Sequence, residues 1–329
     1  MKRLLTGDRP TGQLHLGNYI GSLKRRVELQ DSYDSFVFVA DYHMLTTKVE
    51  KLRDLDLRRN ILNVVRDNLA VGVDPKKVTY YVQSDVPETF ELATLLGMLI
   101  KVPRLEIVPS LKDMMRDSGI ESPSFGLLGY PVLMASDILV VRGEVVPVGK
   151  DNQANVEVAR EVAQRFNTLF GQTLPLPEPL VFGKVLPGTD GNDKMGKSLG
   201  NAIFLSDTTA EVKRKVMSMY TDPSRVRATD PGKVEGNPVF AYHDAFNEDK
   251  AEVLDLKKRY MEGKVGDVLV KEKLLAAIEG FLKPVRSRRA EITDREIETI
   301  LKHGAERARE VARETIRDVR AAMKIPDLS

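Results

Sequence analysis

Apolar and polar positions in the first half of the chain follow two different periods. Short apolar runs, rich in β-branched and aromatic residues, predict strands at residues 2–6, 35–40, 78–83 and 144–148. Apolar positions at helical spacing predict helices at residues 18–30, about 51–70, 126–141 and 151–170. Strands that alternate with helices of this length are typical of right-handed βαβ units. The pattern therefore predicts an α/β fold with a doubly wound, Rossmann-like parallel sheet, whose ligands bind beyond the carboxyl ends of the strands.

The second half of the chain has a different pattern. Residues 174–193 are rich in proline and glycine, show no period, and are predicted to form a loop. Beyond about Pro223 the strand patterns disappear, and from Pro238 onward apolar positions at three- and four-residue intervals predict helices. We therefore predict two domains. The first is a sheet domain at residues 1–205, of which 183–205 carry a lysine-containing loop, and the second is a smaller, mainly α-helical domain at residues 206–329.

Composition limits the kinds of site that the chain can hold. The absence of cysteine excludes disulfides, thiolate metal sites and cysteine nucleophiles. The four histidines have no ligand-like spacing, so we expect any metal to arrive as Mg²⁺ on nucleotide phosphates. With 50 basic and 48 acidic residues, a nucleic-acid site must be a local patch. No apolar run is long enough to span a bilayer and no signal-peptide core is present, so we expect a cytoplasmic protein.

A strand, a tight turn and a helix start place two polar side chains where an anion can bind. His15 and Asn18 lie at the start of the first predicted helix, where backbone N–H groups are not used by the helix itself. Gly17 would let a nucleotide approach the backbone closely. His15 and Asn18 could donate hydrogen bonds to phosphate oxygens. Taken alone, this motif is equally well explained by a capped helix start with an incidental histidine.

A second polar cluster lies far along the chain, on a loop flanked by glycines. It contains Lys194, Lys197 and Ser198. Two ammonium groups on a mobile loop could strengthen their contacts with a departing pyrophosphate as the bond between the α- and β-phosphates breaks. For a short lysine run considered by itself, a solvated basic loop is the better explanation.

Together, and in this order, the two motifs resemble the signatures of the class I aminoacyl-tRNA synthetases. His15-Leu-Gly-Asn18 resembles the HIGH signature, and Lys194-Met-Gly-Lys-Ser198 resembles the KMSKS signature. The runs at residues 6–19, 129–139 and 146–151 resemble the tryptophanyl branch, and so do residues 41–43 and 220–223. The resemblance spans nearly the whole chain. It implies a catalytic sheet domain, ATP and Mg²⁺, L-tryptophan and tRNA(Trp) as partners, and a homodimer.

The resemblance also implies a nucleotide site. Its expected residues are Arg9, Thr11, Gly12, His15, Gly17, Asn18, Gly149, Asp151, Lys194, Met195, Lys197 and Ser198. Four of these are expected to act in catalysis: His15, Asn18, Lys194 and Lys197. For Asp151, capping of the following helix is a slightly better explanation than contact with a ligand.

Recognition of tryptophan requires a buried acceptor, because the indole N–H can only donate. Asp137 is the candidate: it falls on an apolar helix, with Tyr130 and Met134 within two turns before it on roughly the same face. The alternative is a helix carboxylate that pairs with a surface lysine. The resemblance implies a pocket formed by Leu5, Gly7, His43, Tyr130, Met134, Asp137, Val146, Val148 and Asn152. For His43, a purely structural histidine is an equally good explanation.

Two departures from the family pattern affect rate and affinity more than reaction type. Asn152 stands where the family commonly has glutamine, although Gln153 is adjacent, and Gly196 replaces the serine in the middle of the lysine motif. Two other functions stay open: a nucleotidyltransferase that does not use tRNA, and a paralogue that binds tryptophan or tRNA without activity. Intact His15, Lys194, Lys197 and Asp137 argue against the inactive paralogue.

The predicted helical domain carries the candidate contacts to tRNA. Its densest basic group is Arg286, Arg288 and Arg289, which could bind phosphates at the anticodon end. A later stripe of Arg309, Arg313 and Arg317 has a glutamate three residues before each arginine. Ion pairs within the helix explain that stripe better than RNA binding does.

Overall fold

The computed structural model describes residues 1–182, 186–192, 195–196, 199–225, 227 and 229–326. The chain forms two compact units, each built from separate stretches of sequence. The sheet unit comprises Met1–Gly12, Arg26–Gly183 and Thr293–Ser329, and the helical unit comprises Gln13–Arg25 and Lys184–Ile292. No helix in the described part of the chain is long and apolar enough to cross a membrane.

Five parallel strands form the sheet. They are β1 Arg3–Asp8, β2 Asp34–Val39, β3 Val78–Val82, β4 Val145–Gly149 and β5 Glu178–Phe182, in the spatial order β3-β2-β1-β4-β5. The order reverses between β1 and β4, which pair at Leu4 and Val145 near their amino ends. In doubly wound sheets the crevice at such a reversal is where ligands bind. The predicted α/β, doubly wound fold is confirmed.

Fourteen α-helices fall within the described residues. In the first half of the chain they are α1 Leu16–Asn18, α2 Lys24–Leu29, α3 Asp41–Lys48, α4 Leu57–Val71, α5 Glu88–Gly97, α6 Val102–Glu106, α7 Pro109–Ser118, α8 Phe125–Val140 and α9 Gln153–Phe170. In the second half they are α10 Thr209–Met217, α11 Pro238–Phe246, α12 Lys250–Met261, α13 Asp267–Glu291 and α14 Asp294–Ala322. A π-helical turn at Tyr19–Leu23 joins α1 to α2.

The core of the sheet unit lies between the strands and five helices. Leu5 of β1, Phe36 of β2 and Val146 of β4 are buried in one apolar cluster with side chains of α5, α6, α8, α9 and α14. Helix α8 is buried on nearly all sides, from Val132 to Val140. It therefore carries its polar residues into the interior, where each needs a hydrogen-bond partner.

The loop predicted at residues 174–193 is wrong in part, because it contains strand β5. The strand lies at the edge of the sheet and includes Pro179, which pairs with Val146 of β4. Proline lacks a backbone N–H and is tolerated in a strand mainly at a sheet edge. The same residue that indicated a loop therefore belongs to an edge strand.

The compact units also divide the chain differently from the predicted boundary at residue 205. Residues 206–292 belong to the helical unit, but α14 belongs to the sheet unit, where it packs against β3. At Gly304 the helix comes so close that an added Cβ would lie 1.8 Å from the carbonyl oxygen of Tyr80. The amphipathic pattern of α14 predicted the helix but could not show which surface it covers.

Candidate active site

Asp137 is buried in the sheet unit and its carboxylate is held by two side chains. It is 2% exposed, which excludes the alternative of a surface ion pair with lysine. Nε2 of His43 lies 2.8 Å from Oδ2, and the amide nitrogen of Gln83 donates to Oδ1 and Oδ2 at 2.9 and 3.0 Å. Burial raises the pKa of Asp137, while the hydrogen bonds and charge of His43 and the hydrogen bond of Gln83 act in the opposite direction.

The orientation of the Gln83 amide is fixed from its other end. Its carbonyl oxygen accepts a hydrogen bond from the backbone N–H of Tyr42 at 3.2 Å, so its NH₂ group faces Asp137. A carboxylate offers about four acceptor positions. His43 and Gln83 together supply three contacts, and Oδ1 accepts only one of them among the described residues. Asp137 can therefore accept a further N–H.

The predicted apolar walls belong to the core cluster that surrounds this carboxylate's helix. Leu5 and Val146 are buried in the cluster, and Met134 and Val148 pack against it half-buried. Only glycine fits at position 7 beside Phe38. An added Cβ would lie 2.5 Å from the ring and 2.8 Å from the carbonyl oxygen of Phe38. The sequence therefore provides an apolar surround for one buried acceptor.

Tyr130 is oriented by a polar chain that the sequence analysis missed. Its ring meets the ring of His43 edge-on, with 6.3 Å between centroids. Its hydroxyl contacts the hydroxyl of Ser110 and donates to Oδ1 of Asn155 at 3.2 Å. The Asn155 amide in turn donates to Oδ1 of Asn152 at 3.0 Å. Tyr130 and Asn152, both predicted for the pocket, are thus connected through Asn155.

The segment after β4 shows that the predicted capping role of Asp151 is wrong. Helix α9 begins after Asn152, which makes no side-chain capping bond, and exposed Asp151 accepts a hydrogen bond from the Asn152 amide at 3.1 Å. Gly149 lies beneath this carboxylate, since an added Cβ would come 2.5 Å from its Oδ1. Gln153 is exposed at the start of α9.

The turn after β1 is short and has two exposed side chains. Arg9 and Thr11 are exposed, the Thr11 N–H donates to the Arg9 carbonyl at 2.8 Å, and Gly12 has φ of +104°, which favours glycine. Burial raises the pKa of the Tyr130 phenol, and the nearby charge of Arg9 partly opposes this effect. Arg9 therefore lies close to the residue that borders His43.

In the helical unit, His15 and Asn18 form a reciprocal cap. The Asn18 N–H donates to Nδ1 of His15 at 3.3 Å, and the His15 N–H donates to Oδ1 of Asn18 at 3.0 Å. A neutral His15 ring that accepts at Nδ1 carries its proton on Nε2, which is the donor that a phosphate oxygen needs. The capping explanation and the catalytic explanation are therefore compatible.

Gly17 and Met195 meet beside this cap. An added Cβ at Gly17 would lie 3.0 Å from both Nδ1 of His15 and the sulfur of Met195. The backbone N–H of Gly196 donates to Oδ1 of Asn201 at 2.9 Å. Lys194, Lys197 and Ser198 lie outside the described residues.

The predicted arginine clusters have different surroundings. Arg286 pairs with Glu279 at 2.5 Å and donates to the carbonyl of Asp207 at 3.0 Å, so its charge already serves a structural contact. Arg288 is exposed. In α14 the expected pairing within the helix is wrong for two arginines, because Arg309 and Arg313 both donate to Glu88 of α5. Arg317 does lie 3.9 Å from Glu314, as expected.

The sequence and the fold of the chain are both similar to those of known proteins. The family described as tRNA synthetases class I (W and Y) matches residues 1–283. The chain belongs to this class I synthetase family. Among its relatives is a tryptophan–tRNA ligase of Treponema pallidum, 51% identical over 98% of this chain and 97% of that protein. Another, from Borreliella burgdorferi, is 47% identical over 97% of this chain and 93% of that protein.

A solved class I synthetase has the same fold. The tryptophanyl-tRNA synthetase of Campylobacter jejuni, complexed with ADP and tryptophan, superimposes with a TM-score of 0.85 at 34% identity, covering 98% of this chain and 100% of that one. For the class I synthetase described here, the residues that sequence reasoning missed are Gln83, Ser110 and Asn155. They follow no motif, and only the fold brings them to Asp137 and Tyr130.

Proposed function

We propose that the chain is a tryptophan–tRNA ligase. It activates L-tryptophan with ATP, giving tryptophanyl-adenylate and pyrophosphate, and transfers the aminoacyl group to the 3′ end of tRNA(Trp). The observation that carries this proposal is the buried acceptor Asp137 in a chain that is about half identical to tryptophan–tRNA ligases. An unoccupied buried carboxylate position is costly, and an indole N–H would satisfy it.

Discrimination among aromatic amino acids follows from the same carboxylate. Phenylalanine has no donor and would leave the remaining acceptor position of Asp137 unpaired, at a cost of several kcal/mol, on the order of 10³-fold or more in kcat/KM. Tyrosine can donate through its hydroxyl, so its rejection must depend on the apolar walls formed by Leu5, Met134, Val146 and Val148. Gly7, His43, Tyr130 and Asn152 complete the proposed set.

Activation of the amino acid is proposed to occur by in-line displacement. A tryptophan carboxylate oxygen attacks the α-phosphorus, and the bond from that phosphorus to the bridging oxygen of pyrophosphate breaks. Nε2–H of His15 and the amide of Asn18 are suited to donate to phosphate oxygens. Arg9, Thr11, Gly12, Gly149, Asp151 and Met195 are the proposed further nucleotide contacts. Lys194 and Lys197, with Ser198, are proposed to stabilise the leaving pyrophosphate.

Mg²⁺ is proposed to accompany ATP. The described residues contain no group of three or more histidine, aspartate or glutamate side chains arranged to hold an ion by themselves. The phosphates would therefore supply most of its ligands, as is usual for this ion. It would neutralise phosphate charge during the displacement.

We also propose a homodimer that works in the cytoplasm. Four large apolar side chains between residues 98 and 125 are strongly exposed: Met98 at 71%, Val102 at 52%, Ile107 at 60% and Phe125 at 91%. They fall in one stretch of sequence within the sheet unit, and large exposed apolar side chains of this kind are typical of a protein interface. For tRNA, the helices of residues 206–292 are proposed to face the anticodon end, with Arg286, Arg288 and Arg289 as the proposed phosphate contacts.

The proposal is tested by amino-acid-dependent ATP–pyrophosphate exchange with tryptophan, tyrosine and phenylalanine. We expect exchange with tryptophan, and a fall of about 10- to 100-fold in kcat/KM for tryptophan in Asp137→Asn, since one charged hydrogen bond is worth about 1.5–3 kcal/mol. Asp34→Asn is the control, because Asp34 is a half-buried carboxylate that pairs with Arg3 at the other end of the strands.

Binding can be measured separately from catalysis. The chain contains no tryptophan, so L-tryptophan is the only indole fluorophore in a binding titration. A folded protein that binds tryptophan but shows no ATP–pyrophosphate exchange with any of the three amino acids would favour the inactive paralogue. Exchange supported best by tyrosine would overturn the tryptophan assignment.

A further inference from the structure

The buried guanidinium of Arg26 forms hydrogen bonds with the last three residues of β1. Arg26 of α2 donates from one terminal nitrogen to Oδ1 of Asp8 at 2.9 Å, to the hydroxyl of Thr6 at 3.2 Å and to the carbonyl of Gly7 at 3.2 Å. Its other terminal nitrogen donates to Oδ2 of Asp8 and to Oδ1 of Asn68 at 2.8 Å. The Arg26 side chain is only 2% exposed. A forked, planar donor of this kind fixes direction as well as distance.

Asn68 of α4 completes the cluster. Its amide donates to Oδ2 of Asp8 at 3.1 Å and to the carbonyl of Val64 at 2.9 Å, one turn earlier in the helix. Asn68 is fully buried. The end of β1 is thus tied by side chains to two helices, in addition to its pairing with β2.

Stability alone does not explain this cluster. In and next to the cluster, two buried polar atoms lack a hydrogen-bond partner within the described residues. One is Nε of Arg26, and the other is the hydroxyl of Tyr80, which neighbours the cluster. Unpaired buried groups are unfavourable, and a buried ion pair can often be replaced by apolar side chains with no loss of stability. What an apolar pair would not supply is a fixed direction for the backbone.

The chain leaves the sheet directly after Asp8. The Asp8 carbonyl accepts the last bond along this edge of the strand, from Ala40 N–H at 2.9 Å, and the turn from Arg9 to Gly12 begins at the next residue. The backbone direction at Asp8 therefore sets the direction in which this turn leaves the sheet. In the proposed function this turn contacts ATP.

We propose that Arg26, Asp8 and Asn68 are positioning residues for ATP, which hold the turn at residues 9–12 in the direction that nucleotide binding needs. The inference rests on the proposed function, since it assumes that this turn contacts ATP. The cluster touches no substrate and acts only through the end of β1. Loss of its directional bonds should weaken ATP binding selectively and leave tryptophan binding nearly unchanged.

The test replaces the ion pair by apolar side chains of similar length, Asp8→Leu with Arg26→Met, and measures exchange at varied ATP and varied tryptophan. We expect KM for ATP to rise about tenfold, with KM for tryptophan and the tryptophan affinity by fluorescence within twofold of the parent. The matched control is Asp34→Leu with Arg3→Met, which removes an ion pair at the amino end of β1 and should leave both KM values within twofold.

Asp8→Asn serves as a second variant, because it keeps the shape of the side chain if the double variant does not fold. It should raise KM for ATP by a smaller factor in the same direction. An unchanged KM for ATP in a folded variant, or equal rises in both KM values, would overturn the positioning role. Absence of exchange in the parent protein would instead refute the proposed function, so the two failures are distinguishable.

Discussion

At the scale of single residues, the amide of Gln83 is one of the groups, with His43, that oppose the effect of burial on the pKa of Asp137. Its hydrogen bonds favour the ionised carboxylate, whose pKa burial has already raised. In Gln83→Met this donor is lost, so the pKa of Asp137 should rise further. We predict that the acidic limb of the kcat/KM profile for tryptophan moves to higher pH, and that kcat/KM at neutral pH falls about tenfold.

The measurement is tryptophan-dependent exchange across pH, compared with Gln30→Met. Gln30 is also buried and also holds backbone groups, donating to Gly72 O and accepting from Asp74 N–H, but it does not contact Asp137. An acidic limb that stays at the parent position in Gln83→Met, or that moves equally in both variants, would show that Gln83 does not set the charge of Asp137.

How far the candidate site could be predicted depended on whether a residue belongs to a motif. His15, Asn18 and Asp137 lie in runs of sequence that resemble family motifs, and that resemblance indicated their roles. Gln83 lies 54 positions from Asp137 and Asn155 lies 25 positions from Tyr130, so their roles exist only once the chain has folded. Spacing could not reveal these partners, because side chains that meet across different elements leave no local period.

At the scale of elements, α14 can pack closely against β3 because Gly304 has no side chain. Gly304→Ala would place a methyl group against the Tyr80 carbonyl, and the helix would have to move away from the strand. We predict a loss of about 2 kcal/mol in the free energy of unfolding, measured by urea denaturation. Gly280→Ala in α13 is the control, because nothing lies within 4 Å of its Cβ.

The two substitutions should have opposite signs. Alanine favours a helix interior over glycine by up to about 1 kcal/mol, so Gly280→Ala should stabilise the protein. A Gly304→Ala variant as stable as the parent would mean that α14 does not need this close approach.

The errors made from sequence patterns have one physical cause, which is that the pattern does not show where an element lies in the fold. A strand with Pro179 looks like a loop because proline is usually excluded from sheets, and only its position at the edge permits it. Helix α14 was predicted correctly from its apolar positions, yet Arg309 and Arg313 pair with Glu88 of α5 and not with glutamates of their own helix. The spacing of apolar and charged residues shows that one face of an element is buried or charged, but it does not show which other element that face contacts.

At the scale of the whole molecule, the exposed apolar residues between 98 and 125 predict association. We expect sedimentation equilibrium to give a dimer, and Phe125→Arg combined with Ile107→Arg to shift it to monomer, since two charges would have to be buried in the interface. Leu254→Arg is the control, because Leu254 is 68% exposed on α12 and lies outside this region. A monomeric parent protein would refute the proposed homodimer.

The division of the chain into interleaved stretches has a consequence for synthesis on the ribosome. The sheet unit begins with β1 but includes α14, which follows all of the helical unit in sequence. While the nascent chain is still short of residue 294, β3 is an open sheet edge without the helix that packs against it. An uncovered strand edge readily pairs with other chains. The last helix to be synthesised is therefore the one that packs against β3, and until it is made this strand is open to pairing with other chains.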